Sequence, residues 1–158
     1  MSVVVTGATG HLGRLVVENL LAAGLAPDQI VAAGRRTDAL ADLNARGVQV
    51  RRADFSDRTS LDAAFRGADA VLLVSSSEVG RRVAQHANAI DAAQGAGVGR
   101  IVYTSAPHAD TSALVLAPEH KATEGLIRDS GVPSRLHVRC VLRADRGRAR
   151  RRRARTAW

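Results

Sequence analysis

The segment Thr6-Gly7-Ala8-Thr9-Gly10-His11-Leu12-Gly13 carries the clearest chemical signal in this chain. Its glycines recur as Gly-x-x-Gly-x-x-Gly, with Thr6 directly before the first. Glycine permits a tight turn and lets a ligand approach the backbone, while the first N–H groups of a following helix present a positive dipole end to an anion. The chemistry is that of a phosphate cradle, with Gly7, Thr9, Gly10, His11, Leu12 and Gly13 around the anion. The spacing departs from the Gly-x-Gly-x-x-Gly of the common dinucleotide fingerprint, and an ordinary glycine turn is the plain alternative.

A cradle of this kind needs a strand before it and a helix after it. Val3–Val5 is a β-branched run, too short to span a membrane, and reads as a buried strand. Leu12, Leu15, Val16, Leu20 and Ala23 recur at helical spacing, and Gly24 suits the position just past a helix end. The pattern then repeats. Strands are predicted at residues 30–33, 48–52, 70–74 and 100–104, with helical stretches near 38–45, 60–65 and 80–96, the middle one capped by Ser56 or Asp57. Alternating strands and helices predict an α/β fold, a Rossmann-type doubly wound parallel sheet, whose ligands bind beyond the carboxyl ends of the strands.

At the end of the second strand, about 20 residues past the glycines, an Asp or Glu would bond a ribose 2′-hydroxyl. This chain has Arg35 and Arg36 there. A guanidinium accepts no hydrogen bond but pairs bidentately with a 2′-phosphate, so the expectation is NADP(H) preferred over NAD(H). Solvated loop arginines are the alternative.

Composition bounds the rest. The 158 residues suffice for one domain with a core built from Val, Leu, Ile and Ala, since only four residues are aromatic. Cys140 is the single cysteine, so no disulfide within the chain is expected, and the Cys and His spacings of a metal site are absent. No signal-peptide or membrane-spanning pattern is present, and a cytoplasmic protein is the default expectation. The net charge of +8 invites a nucleic-acid reading, but it is unevenly placed. Residues 1–134 carry 13 basic and 14 acidic residues, a net of −1, whereas residues 135–158 carry 10 Arg and one acid, a net of +9. Two readings of that segment follow from its charge: a basic arm for phosphates of nucleic acid or lipid, and an inert solvated extension.

Residues 6–13, 30–36, 53–55, 72–78, 85–98, 101–105 and 119–124 together resemble the NmrA-like atypical short-chain dehydrogenases, and within them the type-2 NAD(P)H:quinone oxidoreductases. The resemblance covers residues 1–133 and divides the chain into an incomplete NAD(P)-binding Rossmann domain and an Arg-rich tail, 134–158, disordered or out of register; where the family continues with a further strand and motif this chain departs, so the resemblance favours out-of-register coding as a third reading of the tail. It implies a protein nearly twice this length. The later strands and a substrate-covering region would then be missing, leaving a sheet edge and part of the pocket uncovered, with weak activity and poor solubility.

The resemblance also implies site residues. Asp54 matches a position near the adenine, with Phe55 beside it, though an Asp heading a loop is equally a turn residue. Ser75, Ser76 and Ser77 follow the fourth strand and would face the ribose or nicotinamide side. The short-chain dehydrogenases use a Ser with a Tyr-x-x-x-Lys pair; here Lys121 has Ala117 four residues before it, so the usual proton relay is absent. That absence suits a quinone, which is already a hydride acceptor. Ser105, His108, His120 and Lys121 are the polar groups expected near its developing oxyanion, with Ser105, His120 and Lys121 as catalytic candidates. For His120 and Lys121 a solvated helix start after Pro118 is the plain alternative, and for a lone histidine such as His108 a surface or capped residue. The expected partner is a small quinone-like molecule, without a metal, with nucleic acid only through the tail and homo-oligomerisation left open. A non-catalytic NAD(P)-sensing regulator of the NmrA type is the alternative function.

Overall fold

Each apolar run is three to five residues long and each intervening helix carries one buried stripe, so the sequence folds as a sheet between two helical layers. The computed structural model describes residues 1–109 and 111–137. Strands β1 (Val3–Val5), β2 (Ile30–Gly34), β3 (Gln49–Arg52), β4 (Ala70–Leu73), β5 (Arg100–Thr104) and β6 (Ser134–His137) form one sheet in the order β3-β2-β1-β4-β5-β6. Every pairing is parallel. Helices α1 (His11–Ala22), α2 (Ala41–Ala45), α3 (Arg58–Phe65), α4 (Arg82–Gly95) and α5 (Ala117–Asp129) connect the strands. This is the expected Rossmann-like sheet, and its strand order reverses between β1 and β4.

Side chains alternate between two cores, as the pleat of a strand requires. Val4, Val31, Val71, Leu73, Ile101 and Tyr103 face α3, α4 and α5, where Leu61, Phe65, Ile90 and Ile127 pack. Val5, Ile30 and Ala32 face the other layer, with Val17, Leu40 and Leu43.

The structure refines several expectations. Asp57 is the α3 cap, accepting a hydrogen bond from Ser60 N at 3.2 Å. The predicted stretch 38–45 divides into a 3-10 turn, Thr37–Leu40, and α2, with Leu40 at the junction and both Leu40 and Leu43 buried. The buried line of α1 runs through Gly13 and Val17, not Leu15, which is 43% exposed. The reason is Gly13: the helix approaches the preceding turn most closely where it has no side chain. Residues 134–137 form β6, paired with β5, so the Arg-rich segment begins within the sheet rather than after it. Strand pairing there uses backbone groups and needs no apolar pattern, which is why composition hid it. The rest of that segment, residues 138–158 with Cys140, lies outside the described residues.

Candidate functional site

The loops after β1, β2, β3 and β4 leave the same end of the sheet and enclose a cleft of 230 Å³. It lies at the reversal of strand order, and its walls include Thr6, Gly7, Thr9, Gly10, Arg35 and Asp54. The glycine turn forms the floor. Gly7 has φ of +62°, a conformation that side chains disfavour, and accepts a hydrogen bond from Gly10 N at 2.9 Å. Gly13 stands under the turn: a Cβ there would sit 2.4 Å from Gly7 O and 2.9 Å from Ala8 Cα. The first backbone bond into α1 runs from Arg14 N to Gly10 O, and no side chain caps the helix. The N–H groups of His11, Leu12 and Gly13 therefore precede the helical ladder, as an anion-binding helix start requires.

The side chains of the motif divide in their uses. Thr6 is buried, donating to Leu72 O at 3.0 Å and accepting from Val74 N at 2.9 Å, so its hydroxyl ties β1 to the loop after β4. His11 is exposed and Leu12 half-buried, and neither they, Gly13 nor Arg36 line the cleft. Arg35 does, and its guanidinium lies 3.3 Å from Glu78 across the mouth. Asp54 lines the cleft and also accepts from Ser56 N at 2.9 Å, so the turn reading and the cleft reading describe the same residue. Phe55 meets the His86 ring edge-on, with centroids 5.8 Å apart. Ser75, Ser76 and Ser77 all line the cleft; Ser75 N donates to Thr104 Oγ1 at 2.8 Å, and Ser76 Oγ donates to Gln85 Oε1 at 2.6 Å.

Behind these serines lies a buried polar layer that the sequence reading missed. Arg82, Gln85 and His86 occupy positions i, i+3 and i+4 of α4, the stripe that continues with Ala89 and Ala93. Polar residues on an otherwise small and apolar stripe are the signal that would have revealed them. Arg82, only 3% exposed, pairs with Glu119 at 2.5 Å and donates through Nε to Ser76 O at 2.7 Å. The second Glu119 oxygen accepts from Gly80 N at 2.6 Å. His86 is fully buried, and that burial, followed by the nearby Arg82 charge, depresses its pKa to about 3. Glu78, Gln85, Val74, Gly34 and Ala53 were likewise missed as cleft residues.

The candidates for the substrate side do not converge in the same way. His120 is buried and shares a 2.7 Å hydrogen bond with Tyr103 OH. Burial pushes the Tyr103 phenol up to about 12 and, with Arg82 next in effect, lowers the His120 pKa. Ser105 donates to Glu124 at 2.5 Å, and Lys121 is exposed on α5. His108 is exposed at φ of +50° in the turn beyond β5. None of these lines the cleft. Among the described residues there is no cluster of three His, Cys, Asp or Glu side chains suited to a metal ion, and no helix is long and apolar enough to cross a membrane.

Known proteins share this arrangement. A family model described as NAD(P)H-binding matches residues 7–133. Quinone oxidoreductase 2 of Escherichia coli (strain K12) is 48% identical over 130 residues, which is 82% of this chain and 45% of that protein. The crystal structure of the NADPH-dependent quinone oxidoreductase of Escherichia coli complexed with NADPH has a TM-score of 0.81 at 48% identity, covering 85% of this chain and 47% of the other. The triphenylmethane reductase of Citrobacter sp. complexed with NADP(H) has a TM-score of 0.82 at 40% identity, covering 86% and 48%. The chain thus spans about half the length of these relatives. Strand order, glycine turn and these likenesses agree: the chain belongs to the NAD(P)H-binding family.

Proposed function

We propose that the cleft takes NADPH and that the chain is the cofactor-holding part of a reductase acting on a quinone-like acceptor. One observation carries this reading: the Gly7 to Gly13 turn stands at the reversal of strand order, and Arg35, not an acid, projects from the end of β2 into the same cleft. The backbone of the turn and the start of α1 hold the pyrophosphate, and Arg35, with Arg36 beside it, pairs with the 2′-phosphate. Asp54 and Phe55 border the adenine, and Ser75, Ser76 and Ser77 border the ribose and nicotinamide side. NADPH, when bound, supplies a hydride.

Lys121 is the group proposed to steady negative charge on the acceptor, because it is a cation exposed in the first turns of α5. Ser105 is proposed to donate a hydrogen bond to the acceptor oxygen after leaving Glu124. His120, held neutral by burial and bonded to Tyr103, acts by steadying the helix that carries Lys121. A cytoplasmic setting goes with this reading. The separation of the α5 groups from the cleft favours a second reading, an NADPH-sensing module without turnover.

Titration with NADPH and NADH, followed by NADPH oxidation with a benzoquinone, tests the proposal. Tight NADPH binding with oxidation supports the reductase, binding without oxidation supports the sensor, and no preference for NADPH overturns the role of Arg35.

A further inference from the structure

Ser76 lines the cleft, and both polar groups of its peptide backbone are taken by buried side chains of α4. Its N–H donates to His86 Nε2 at 3.0 Å, and its C=O accepts from Arg82 Nε at 2.7 Å. Each of those side chains is held on its far side by α5. His86 Nδ1 lies 3.1 Å from Thr123 Oγ1, and Arg82 Nη1 lies 2.5 Å from Glu119.

The hydrogens in this layer have one consistent order. An uncharged imidazole that accepts at Nε2 carries its proton on Nδ1, so the ring donates to Thr123. The Thr123 hydroxyl donates to Glu119 C=O at 2.8 Å, which leaves its oxygen free to accept from the ring. The bonds therefore run in one direction, from Ser76 N–H through His86 and Thr123 to the backbone of α5. The other tautomer would set Nε2–H against Ser76 N–H, two donors facing each other in a buried place. Thr123 is itself fully buried and does not line the cleft.

We propose that Thr123 is a positioning residue for the dinucleotide: its hydroxyl selects the Nδ1–H tautomer of His86, and that tautomer holds the Ser76 peptide in the form that receives the ligand. The inference rests on the reading of the cleft as an NADPH site. It makes α5 a determinant of cofactor affinity through bonds that never touch the cofactor.

The test combines ¹⁵N spectra of the histidine rings with NADPH titrations of the wild-type chain, Thr123→Val and Thr123→Ser. Valine keeps the shape and removes the acceptor; serine keeps the hydroxyl. The wild-type ring is expected to show Nδ1–H. Thr123→Val is expected to lose that signature, shift the Ser76 amide resonance and raise the NADPH Kd about tenfold, while Thr123→Ser stays within about twofold. A wild-type His86 carrying its proton on Nε2 overturns the proposal without any variant. So does a Thr123→Val protein that loses the tautomer and keeps its affinity, or equal weakening by valine and serine. If the wild-type ring shows Nδ1–H and the chain does not bind NADPH, the ligand reading falls and the positioning role falls with it, while the order of the hydrogen bonds stands.

Discussion

The cleft at the ends of β1 to β4 and the polar groups on and beside α5 were assembled by different means. In the cleft the chemistry belongs to backbone: the Gly7 to Gly13 turn, the start of α1 and the Ser75 to Ser77 loop converge because parallel strands deliver their following loops to one end of the sheet. On the α5 side it belongs to side chains, and these have found one another: His120 with Tyr103, Ser105 with Glu124, Arg82 with Glu119. A backbone site is complete once the topology forms. A side-chain site depends on what else satisfies each group, and here Lys121 stays exposed while Ser105 and His120 are bonded to neighbours.

The two regions meet at Ser76, and the largest expected effect lies there. Arg82→Met leaves the half-buried Glu119 without its cation and releases Ser76 O, and should cost about 3 kcal/mol in urea denaturation. A loss below about 1 kcal/mol would mean that the pair does not hold the loop to α5. The glycines sharpen the contrast next. Gly13→Val places Cβ against the backbone of Gly7 and Ala8, and should destabilise by about 1–3 kcal/mol and abolish NADPH binding. Gly125→Ala on α5 meets nothing within 4 Å and should be neutral or stabilising by up to about 1 kcal/mol. Equal costs at the two positions would erase the distinction.

Acid should weaken the junction specifically. His86 titrates near 6.5 when unfolded and at about 3 when folded, so below pH 6.5 the unfolded chain binds the extra proton and stability falls as pH falls, until about pH 3. The slope is up to about 1.4 kcal/mol per pH unit, and the lowered His120 pKa acts in the same direction. Denaturation between pH 5 and 7 should show this slope in the wild type and less of it in His86→Phe; an identical slope would remove His86 as its source. Arg35→Asp should weaken NADPH about tenfold and NADH little, by titration calorimetry. The smallest structural effect is expected at Lys121→Met, within about 0.5 kcal/mol of wild-type stability. The same change should slow quinone reduction about three- to tenfold, and an unchanged rate would exclude Lys121 from the reaction.

Much of this was legible beforehand, for identifiable reasons. The strands β1 and β5 and the α3 cap at Asp57 follow from local pattern, because β-branched runs and short polar side chains act on their own backbone. The cleft residues Thr6, Gly7, Gly10, Arg35, Asp54 and Ser76 follow from the place of each loop after its strand. The exposure of Leu15 was not legible, since five apolar residues at helical spacing do not say which edge of the stripe a glycine contact will favour. Nor was β6, whose pairing is made by backbone groups.

The alternation of strands and helices, the glycine turn and the arginine at the end of β2 are set by the chain's local pattern, because periodicity, glycine freedom and charge type act over a few residues. The partners were decided only in three dimensions. Thr6 bonds a residue 66 positions away, His86 and Thr123 are 37 apart, and Arg82 and Glu119 are also 37 apart. A buried polar group takes the partner that packing brings within about 3 Å, and no local pattern encodes which one that is.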